Sequence, residues 1–396
     1  MLKVMTKENF LPYTKPSINQ IDIHEVTKAL NSDHLTRGPL VEAFESAVAH
    51  YCQVKYAVAF NSGTSALMGA YFAANLRQQD SLLTTPNSFV ATAGAAVQRG
   101  TTPVFLDIDC SSGNLDLQQL EYNLARPSSR GRICVAPVHF AGIPVDMQKI
   151  DQSIQNPETV VIEDAAHALG STYFTGEKVG SCRWSDMTIF SFHAAKTITT
   201  GEGGMVTTNS EDFYRRLKLF RNNGIEREAP YLQGEAAPWY YEVQHLSGNY
   251  NFTELQAALG LSQMARLDSF VEKRRQLMKA YRALLKEIPY LHLFAENFDA
   301  YSAYHLCVVQ INFNAYKTTR TQVMNRLRER MIGTQVHYIP IYKHPYFINL
   351  CGDISDYFPK MEAYYSQALS LPFYYDLQVE EVERVVNTLK KVLQGE

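Results

Sequence analysis

Short apolar runs alternate with amphipathic segments along the first half of the chain. Apolar runs bounded by turn residues predict buried strands, and a helical repeat of apolar positions predicts helices that pack on them. The predicted strands are 56–60, 82–85, 102–107, 134–137, 160–164 and a run that begins at Ile189. The predicted helices are 21–30, 40–51, 66–76, an alanine-rich segment ending at Arg99, and 211–218. This alternation predicts an α/β fold, in which helices cover both faces of a mostly parallel sheet.

The pattern changes in the second half of the chain. Residues 222–239 predict a long surface loop, and 255–285 predict one long helix. After about residue 291, the predicted elements are strands at 306–313 and 334–338 and helices at 321–331 and 379–392. We therefore expect an N-terminal arm (1–20), a large α/β domain (21–265) and a smaller C-terminal α+β domain (266–396).

Composition excludes several classes of function. The 396 residues carry a formal net charge of −3 and no long basic block, so a bulk positive field that would attract nucleic acid is absent. The six cysteines are scattered without metal-ligand spacing, which predicts reduced thiols, no metal site and a cytoplasmic protein. The uncharged stretches 56–76 and 81–98 are interrupted by polar turns, so we expect no transmembrane segment.

One lysine lies between a buried strand and a glycine turn. Lys196 follows the apolar run from Ile189 and precedes threonines and three glycines, Gly201, Gly203 and Gly204, which permit a tight backbone path. A desolvated lysine can lose its proton and act as an amine nucleophile, as a Schiff base with a carbonyl cofactor such as pyridoxal phosphate (PLP) requires. Alternatively, Lys196 projects from a solvated surface turn.

Other polar or aromatic residues also follow predicted strands. Ligands of parallel sheets bind beyond the carboxyl ends of the strands, so these residues can meet at one edge. The turn 61–65, with Thr64 and Ser65, can bind a phosphate at a helix N-terminus or simply cap that helix. Asp164 can keep the pyridine nitrogen of PLP protonated or cap a helix. Phe89 can stack on a ring or belong to the core.

Taken together and in order, these motifs resemble those of the DegT-type sugar aminotransferases, a branch of the fold type I PLP enzymes. The matching segments are 35–39, 62–67, 86–92, 139–142, 163–167, 191–196, 201–204, 253–258 and 335–340. Within that family, the chain is most similar to the transaminases of the pseudaminic acid pathway. The resemblance implies a homodimer with shared active sites. It also implies that the enzyme moves an amino group from L-glutamate to the 4-keto carbon of a UDP-4-keto-6-deoxy-N-acetylhexosamine.

The resemblance also implies roles for individual residues. Lys196 is the Schiff-base lysine and Asp164 the partner of the pyridine nitrogen. The remaining cofactor contacts that it implies are Phe89 on the ring, His167 near the ring hydroxyl, Thr64, Ser65 and Ser191 on the phosphate, and Asn249 reaching the phosphate of the neighbouring subunit. His337 and Tyr338 are implied as substrate contacts, with core packing as the other interpretation. Asn251 stands where the family often has a basic residue, which changes the local charge.

Three other functions are compatible with parts of the pattern. An aminotransferase for another UDP- or dTDP-keto-sugar shares most of these motifs. A PLP-binding regulatory protein without turnover is a second alternative, although no DNA-binding module is visible. A nicotinamide enzyme is disfavoured because no GxGxxG follows an early strand.

Overall fold

A computed structural model describes residues 10–126, 131–295 and 298–396. The N-terminal part of the expected arm (residues 1–9) lies outside the described residues. The helices are α1 Gln20–Leu30, α2 Pro39–Cys52, α3 Gly63–Ala73, α4 Ala91–Val97, α5 Leu117–Ala125, α6 Met147–Ser153, α7 Glu211–Arg221, α8 Glu254–Met264, α9 Leu267–Leu285, α10 Arg320–Glu329, α11 Pro345–Cys351, α12 Pro359–Gln367 and α13 Val379–Gln394. The strands are β1 Tyr56–Phe60, β2 Ser81–Thr84, β3 Thr102–Phe105, β4 Ile133–Ala136, β5 Val160–Asp164, β6 Met187–Ser191, β7 Gly204–Thr208, β8 Ile225–Glu226, β9 Glu242–Val243, β10 Leu291–Leu293, β11 Cys307–Ile311 and β12 Ala368–Leu371.

The central sheet has seven strands in the order β1-β7-β6-β5-β4-β2-β3. Strands β6, β5, β4, β2 and β3 pair in parallel, whereas β7 is antiparallel to both of its neighbours. The carboxyl ends of the other six strands therefore lie at one edge, together with the start of β7. The predicted α/β fold with a mostly parallel sheet is confirmed.

Alternation along the strands distributes the side chains between two apolar layers. In β1, Ala57 and Ala59 pack into one cluster with Phe44 of α2, whereas Val58 and Phe60 pack into another with Leu217 of α7. Successive side chains of a strand point to opposite faces, so each face needs its own cover of helices. Both faces are covered, which explains why the strands read as continuous apolar runs.

The predicted long helix over 255–285 is wrong, because the chain breaks between α8 and α9. At the break, Arg266 adopts a non-helical conformation (φ −112°, ψ 1°). Its guanidinium lies 2.5 Å from Asp22 Oδ2 of α1, and Asp22 is buried. We attribute the break to this tertiary ion pair, which the apolar repeat of the sequence does not encode.

Two further predictions need correction. The segment 222–239, expected to be a loop throughout, contains the short strand β8, which pairs antiparallel with β9. The predicted strand at 334–338 is absent: Gln335 alone pairs with Ser370 through two backbone hydrogen bonds of 2.7 and 3.1 Å, next to the end strand of the second sheet. Beyond this pairing the backbone turns away, and it carries His337 and Tyr338 toward the edge of the central sheet.

The C-terminal part contains a three-stranded antiparallel sheet, β10-β11-β12. Its cluster includes Val309 of β11 and Val385 and Leu389 of α13. Helix α9 contributes to two clusters, with Phe270 in that of the central sheet and Leu277 in that of the smaller sheet. The division into domains near residue 265 stays a prediction. Within the described ranges, no helix has both the length and the apolar character needed to cross a membrane.

Candidate active site

The edge formed by the carboxyl ends of the strands gathers most of the residues singled out in the sequence. Phe60, Asp164 and Ser191 end β1, β5 and β6, and the turn containing Phe89 follows β2. Gly204 opens β7 at the same edge. A Cβ on Gly204 would lie 2.3 Å from the carbonyl oxygen of Ser62, so only glycine allows β7 to pass this close to the 61–65 turn. Gly201, at φ +77°, reverses the chain just before it.

Lys196 lies in a short turn beyond β6. Its backbone N–H donates to the carbonyl of His193 at 2.8 Å, and the N–H of Thr200 returns to the carbonyl of Phe192 at 3.0 Å. Burial lowers the pKa of Lys196 to about 8, and the negative charge of Asp164 opposes that shift. The lowered pKa brings deprotonation of the amine within about one pH unit of neutrality, so the nucleophilic form is far more accessible than in a solvated lysine.

Asp164 is buried and only partly satisfied. Its Oδ2 accepts from the Thr92 hydroxyl at 2.6 Å, and its Oδ1 accepts from the Ala166 N–H at 3.1 Å. Burial raises the pKa of Asp164, while these two donors and the charge of Lys196 lower it. The helix-capping alternative fails in this structure, because no helix begins at this carboxylate.

The 61–65 turn combines a helix cap with an open N-terminus. Ser62 and Ser65 form a capping box on α3, and the Ser65 hydroxyl also contacts Asn61 Oδ1 at 2.7 Å. Thr64 is exposed in the first turn, and Ser191 Oγ lies 3.1 Å from where a Cβ on Gly63 would be. Ser65 therefore caps α3, which was the alternative to phosphate binding for this turn. The phosphate contacts of Thr64, Ser65 and Ser191 stay predictions.

Phe89, Tyr338 and His167 form an aromatic wall beside Lys196. The Phe89 ring is 59% exposed, and its centroid lies 6.4 Å from that of Tyr338. His167 Nδ1 accepts from the Ala141 N–H at 3.3 Å, and its Nε2 lies 3.0 Å from Tyr338 Oη. Burial holds the pKa of His167 well below its usual range, so the ring is neutral and its one proton is on Nε2. Tyr338 therefore accepts from His167, which leaves its own O–H to donate elsewhere.

Two more histidines surround this wall. His337 is buried, and its Nδ1 lies 2.7 Å from Ser370 Oγ; burial and the charge of Lys196 lower its pKa to about 3. His305, which sequence reasoning missed, is buried with its ring centroid 4.4 Å from that of His167. Its Nδ1 has no hydrogen-bond partner among the residues that the structure describes. The only signal in the sequence was its position just before an apolar run.

Asn249 lies beside the 61–65 turn of its own chain. Its backbone carbonyl is 3.5 Å from Asn61 Nδ2, and its side-chain oxygen accepts from Asn251 Nδ2 at 2.8 Å. The side chain is exposed. The contact of Asn249 with a cofactor phosphate of a neighbouring subunit stays a prediction.

A cavity of about 420 Å³ adjoins Asn249. Its described lining consists of two arginines, an isoleucine and otherwise uncharged polar residues: Thr36, Arg37, Asn222, Asn223, Ile225, Arg227, Tyr241, Asn249, Asn251 and Thr253. Neither Arg37 nor Arg227 forms an ion pair within the described part of the chain. Arg37 donates to Asn222 Oδ1 at 3.3 Å, and the Arg227 guanidinium lies over the Tyr241 ring at 4.8 Å. The cavity therefore suits an anion. Sequence reasoning gave neither arginine a role, although Arg37 lies in the matching segment 35–39, because the two residues are far apart in the chain.

Comparisons with known proteins identify the family of the chain. The model of the DegT/DnrJ/EryC1/StrS aminotransferase family matches residues 16–390. The chain belongs to this family. It is 37% identical to the spore coat polysaccharide biosynthesis protein SpsC of Bacillus subtilis over 99% of both chains. It is 35% identical to the UDP-4-amino-4,6-dideoxy-N-acetyl-beta-L-altrosamine transaminase of Campylobacter jejuni, over 97% of this chain and 98% of that protein.

A solved structure shows the same fold. The chain is similar to Helicobacter pylori PseC, an aminotransferase involved in the biosynthesis of pseudoaminic acid, with a TM-score of 0.88 and 30% identity. That match covers 98% of this chain and 100% of the PseC chain. The protein is therefore a PLP-dependent sugar aminotransferase with the fold type I architecture.

The residues present fit PLP. A half-buried lysine with a lowered pKa, a buried carboxylate with unused acceptor capacity and an exposed phenylalanine ring lie at one edge of the sheet, next to a helix N-terminus. When bound, PLP stabilises negative charge that develops at a neighbouring carbon and carries an amino group between substrates. The protein supplies the amine, the counter-charge and the stacking surface.

Proposed function

We propose that the protein transfers an amino group from L-glutamate to the 4-keto carbon of a UDP-4-keto-6-deoxy-N-acetylhexosamine, in a pathway of the pseudaminic acid type. The observation that carries the aminotransferase part is that Lys196, with its lowered pKa, lies near the buried carboxylate of Asp164 at the carboxyl edge of the sheet. The sugar is proposed from the similarity to the Campylobacter jejuni transaminase and to PseC. An aminotransferase for a different nucleotide keto-sugar is the second candidate, because SpsC, named for spore coat polysaccharide biosynthesis, is 37% identical to this chain and the Campylobacter jejuni transaminase 35%.

In this proposal, each residue has a specific task. Lys196 attaches the cofactor and moves a proton through Nζ, and Asp164 holds the proton of the ring nitrogen. Phe89 packs on the ring, and His167 lies near the ring hydroxyl. Thr64, Ser65 and Ser191, with the first turn of α3, bind the phosphate, helped by the positive end of the helix dipole. His337 and Tyr338 contact the substrate, and the free O–H of Tyr338 requires an acceptor oxygen there.

The cavity with Arg37 and Arg227 supports a nucleotide sugar as the substrate. Guanidinium groups without carboxylate partners favour a diphosphate, which they can bind through paired hydrogen bonds. We propose that this cavity takes the diphosphate of the substrate. The charge missing at Asn251 is then supplied by arginines from other parts of the sequence.

We also propose a homodimer with shared active sites, in the cytoplasm. The segment around β9 exposes several large apolar side chains: Trp239 (75%), Tyr241 (48%), Val243 (56%) and Leu246 (93%). Such an exposed apolar set favours an interface over solvent. Because Asn249 follows this segment directly, a second copy that covers it would also bring Asn249 close to the partner's site.

The substrate is tested with a panel of UDP- and dTDP-keto-sugars, with L-glutamate or other amino acids as donors. Products are identified by mass spectrometry, and the aminated carbon by NMR. We expect a 4-amino product from the UDP-4-keto-6-deoxy-N-acetylhexosamine and the highest rate with glutamate. A higher rate with another sugar nucleotide would overturn the proposed substrate and leave the aminotransferase assignment intact.

The diphosphate site is tested by UDP binding in calorimetry. Arg37→Gln and Arg227→Gln should each weaken UDP binding by about tenfold, the loss of one hydrogen bond to a charged group. Arg216→Gln is the control, because Arg216 pairs with Asp212 at 2.9 Å and lies outside the cavity. Unchanged binding in both cavity variants would place the diphosphate elsewhere.

A further inference from the structure

A chain of two buried hydroxyl groups leads to Asp164. Thr92 Oγ1 lies 2.6 Å from Asp164 Oδ2 and 2.7 Å from Ser88 Oγ. Ser88, Thr92 and Asp164 are all at least 95% buried. Thr92 is also fixed through its backbone, because the Tyr71 hydroxyl donates to its carbonyl at 2.9 Å.

The distances determine the direction of these hydrogen bonds. A hydroxyl has one proton, and an ionised carboxylate only accepts. The Thr92 proton has Asp164 Oδ2 at 2.6 Å and the Phe89 carbonyl at 3.2 Å as competing acceptors, and the shorter, charge-assisted bond is the stronger. Thr92 therefore donates to Asp164. Ser88 must then donate to Thr92, since Thr92 has no second proton to give.

We propose that Thr92 is a positioning residue whose hydroxyl, oriented by Ser88, keeps Asp164 ionised and immobile for the ring nitrogen of PLP. The inference rests on the proposed role of Asp164. Burial alone favours the neutral carboxyl group, which could not hold the ring proton. The Thr92 bond stabilises the charged form on Oδ2, and the Ala166 N–H does so on Oδ1.

The same short segment also sets the stacking surface. Phe89 and Thr92 are three residues apart at the start of α4, and the Thr92 N–H donates to the Phe89 carbonyl at 3.2 Å. Phe89 is exposed at the site, whereas Thr92 faces the protein interior. One turn of backbone thus determines both the height of the stacking ring and the orientation of Asp164. A shift of this turn would disturb both contacts together.

The test uses PLP labelled with ¹⁵N at the ring nitrogen, because the NMR shift of that atom reports its protonation independently of turnover. Thr92→Val removes the hydroxyl at nearly constant shape, and Thr92→Ser retains it. In Thr92→Val we expect the signal to move toward the unprotonated value and the PLP dissociation constant to rise about tenfold. Thr92→Ser should keep the wild-type shift and stay within about twofold of its dissociation constant. A wild-type shift in Thr92→Val, or equal defects in both variants, would overturn the inference.

Two further variants separate the possible failures. Ser88→Ala removes only the outer donor, so it should move the shift in the same direction by a smaller amount. If thermal unfolding shows that Thr92→Val is not folded, Ser88→Ala becomes the deciding variant. An unchanged shift in Ser88→Ala would then overturn the proposed role of the Ser88–Thr92 hydrogen bonds. Asp164→Asn tests the underlying role. If the ring nitrogen of PLP bound to Asp164→Asn stays protonated, the proposed role of Asp164 fails. If Asp164→Asn changes the shift and the Thr92 and Ser88 variants do not, only the proposed role of Thr92 and Ser88 fails.

Discussion

Two neighbouring carboxylates at the end of β5 have opposite surroundings. Glu163 and Asp164 are both buried, but their side chains leave the strand on opposite faces. Four side chains donate to Glu163: His139 Nε2 at 2.7 Å, Tyr173 Oη at 2.7 and 2.9 Å, Thr188 Oγ1 at 2.9 Å, and the Ser185 hydroxyl. We call this set the closed side of β5. Asp164, with Lys196, Phe89 and Tyr338, forms the open side.

The difference separates a structural carboxylate from one that is available to a ligand. The donors around Glu163 lower its pKa despite complete burial, whereas burial prevails at Asp164 and raises its pKa. A carboxylate has about four lone-pair sites, and those of Glu163 are filled by protein groups. Asp164 receives only two hydrogen bonds from described residues. Burial is thus shared by both residues, and unused acceptor capacity is what distinguishes the binding site.

The most severe way to break the open side is Lys196→Ala. We expect turnover to fall by at least about 10⁴-fold, because the variant loses both the nucleophile and the proton carrier. Borohydride reduction of the wild-type holoenzyme, followed by peptide mapping, should place the cofactor on the peptide that contains Lys196. A label on another lysine would refute the assignment of the open side.

A paired exchange tests the contrast between the carboxylates directly. Asp164→Asn should keep the fold and still bind PLP, although more weakly, but lose about 100-fold in turnover, since the ring nitrogen loses its charged partner. Glu163→Gln should lower the free energy of unfolding by about 3 kcal/mol and leave the turnover of folded protein nearly unchanged. Chemical denaturation and steady-state kinetics on both variants measure the two effects. Near-normal turnover in Asp164→Asn would reduce Asp164 to a structural residue as well.

Asn249 extends the comparison to a second subunit. Asn249→Ala should weaken PLP retention by about 1.5–3 kcal/mol, the value for a hydrogen bond to a charged group. If Asn249 acts across the interface, mixing Asn249→Ala with Lys196→Ala restores one wild-type site per mixed dimer, with up to half of normal activity. No recovery after confirmed subunit exchange would exclude a role in the partner's site.

The lowered pKa of Lys196 predicts how stability depends on pH. Because burial lowers it from 10.5 to about 8, the unfolded chain binds more protons between these values, and stability from this group rises with pH there. The free energy of unfolding of cofactor-free Lys196→Met should therefore exceed that of the wild type by about 3 kcal/mol at pH 7. Urea denaturation from pH 7 to 9.5 should show this gap narrowing above pH 8. A constant gap would mean that Lys196 is solvated like a surface lysine.

The smallest expected effect concerns the free O–H of Tyr338. Tyr338→Phe should weaken binding of the aminated nucleotide sugar by about 1 kcal/mol, the loss of one neutral hydrogen bond. Titration calorimetry measures this, with Tyr357→Phe as a control because Tyr357 is 76% exposed. An unchanged affinity would show that the Tyr338 hydroxyl serves only His167.

Local pattern was sufficient for the strands and insufficient for much of the site. The strands over 56–60 and 160–164 have the predicted bounds because continuous apolar runs are sufficient for buried strands. The break at Arg266 depends on Asp22, which is distant in the sequence, and so was not predictable from periodicity. Thr92 is the last residue of the matching segment 86–92. Its role emerged only with the position of Asp164, because a threonine in an alanine-rich helix gives no signal of its own.

The two cores that share α9 set a limit on protein engineering. A natural idea for changing sugar preference is to exchange the C-terminal part with that of a relative, with the crossover near residue 266. Such a chimera would combine a foreign α9 with the native partners of Leu267, Phe270 and Val271. A crossover after Leu285 would instead keep the whole helix with the central sheet. The foreign sheet β10-β11-β12 would then have to accept the apolar face of α9 that includes Leu277, Met278, Tyr281 and Leu285. Libraries of hybrids should therefore have their junction between Lys286 and Tyr290, where the helix has ended and β10 has not begun.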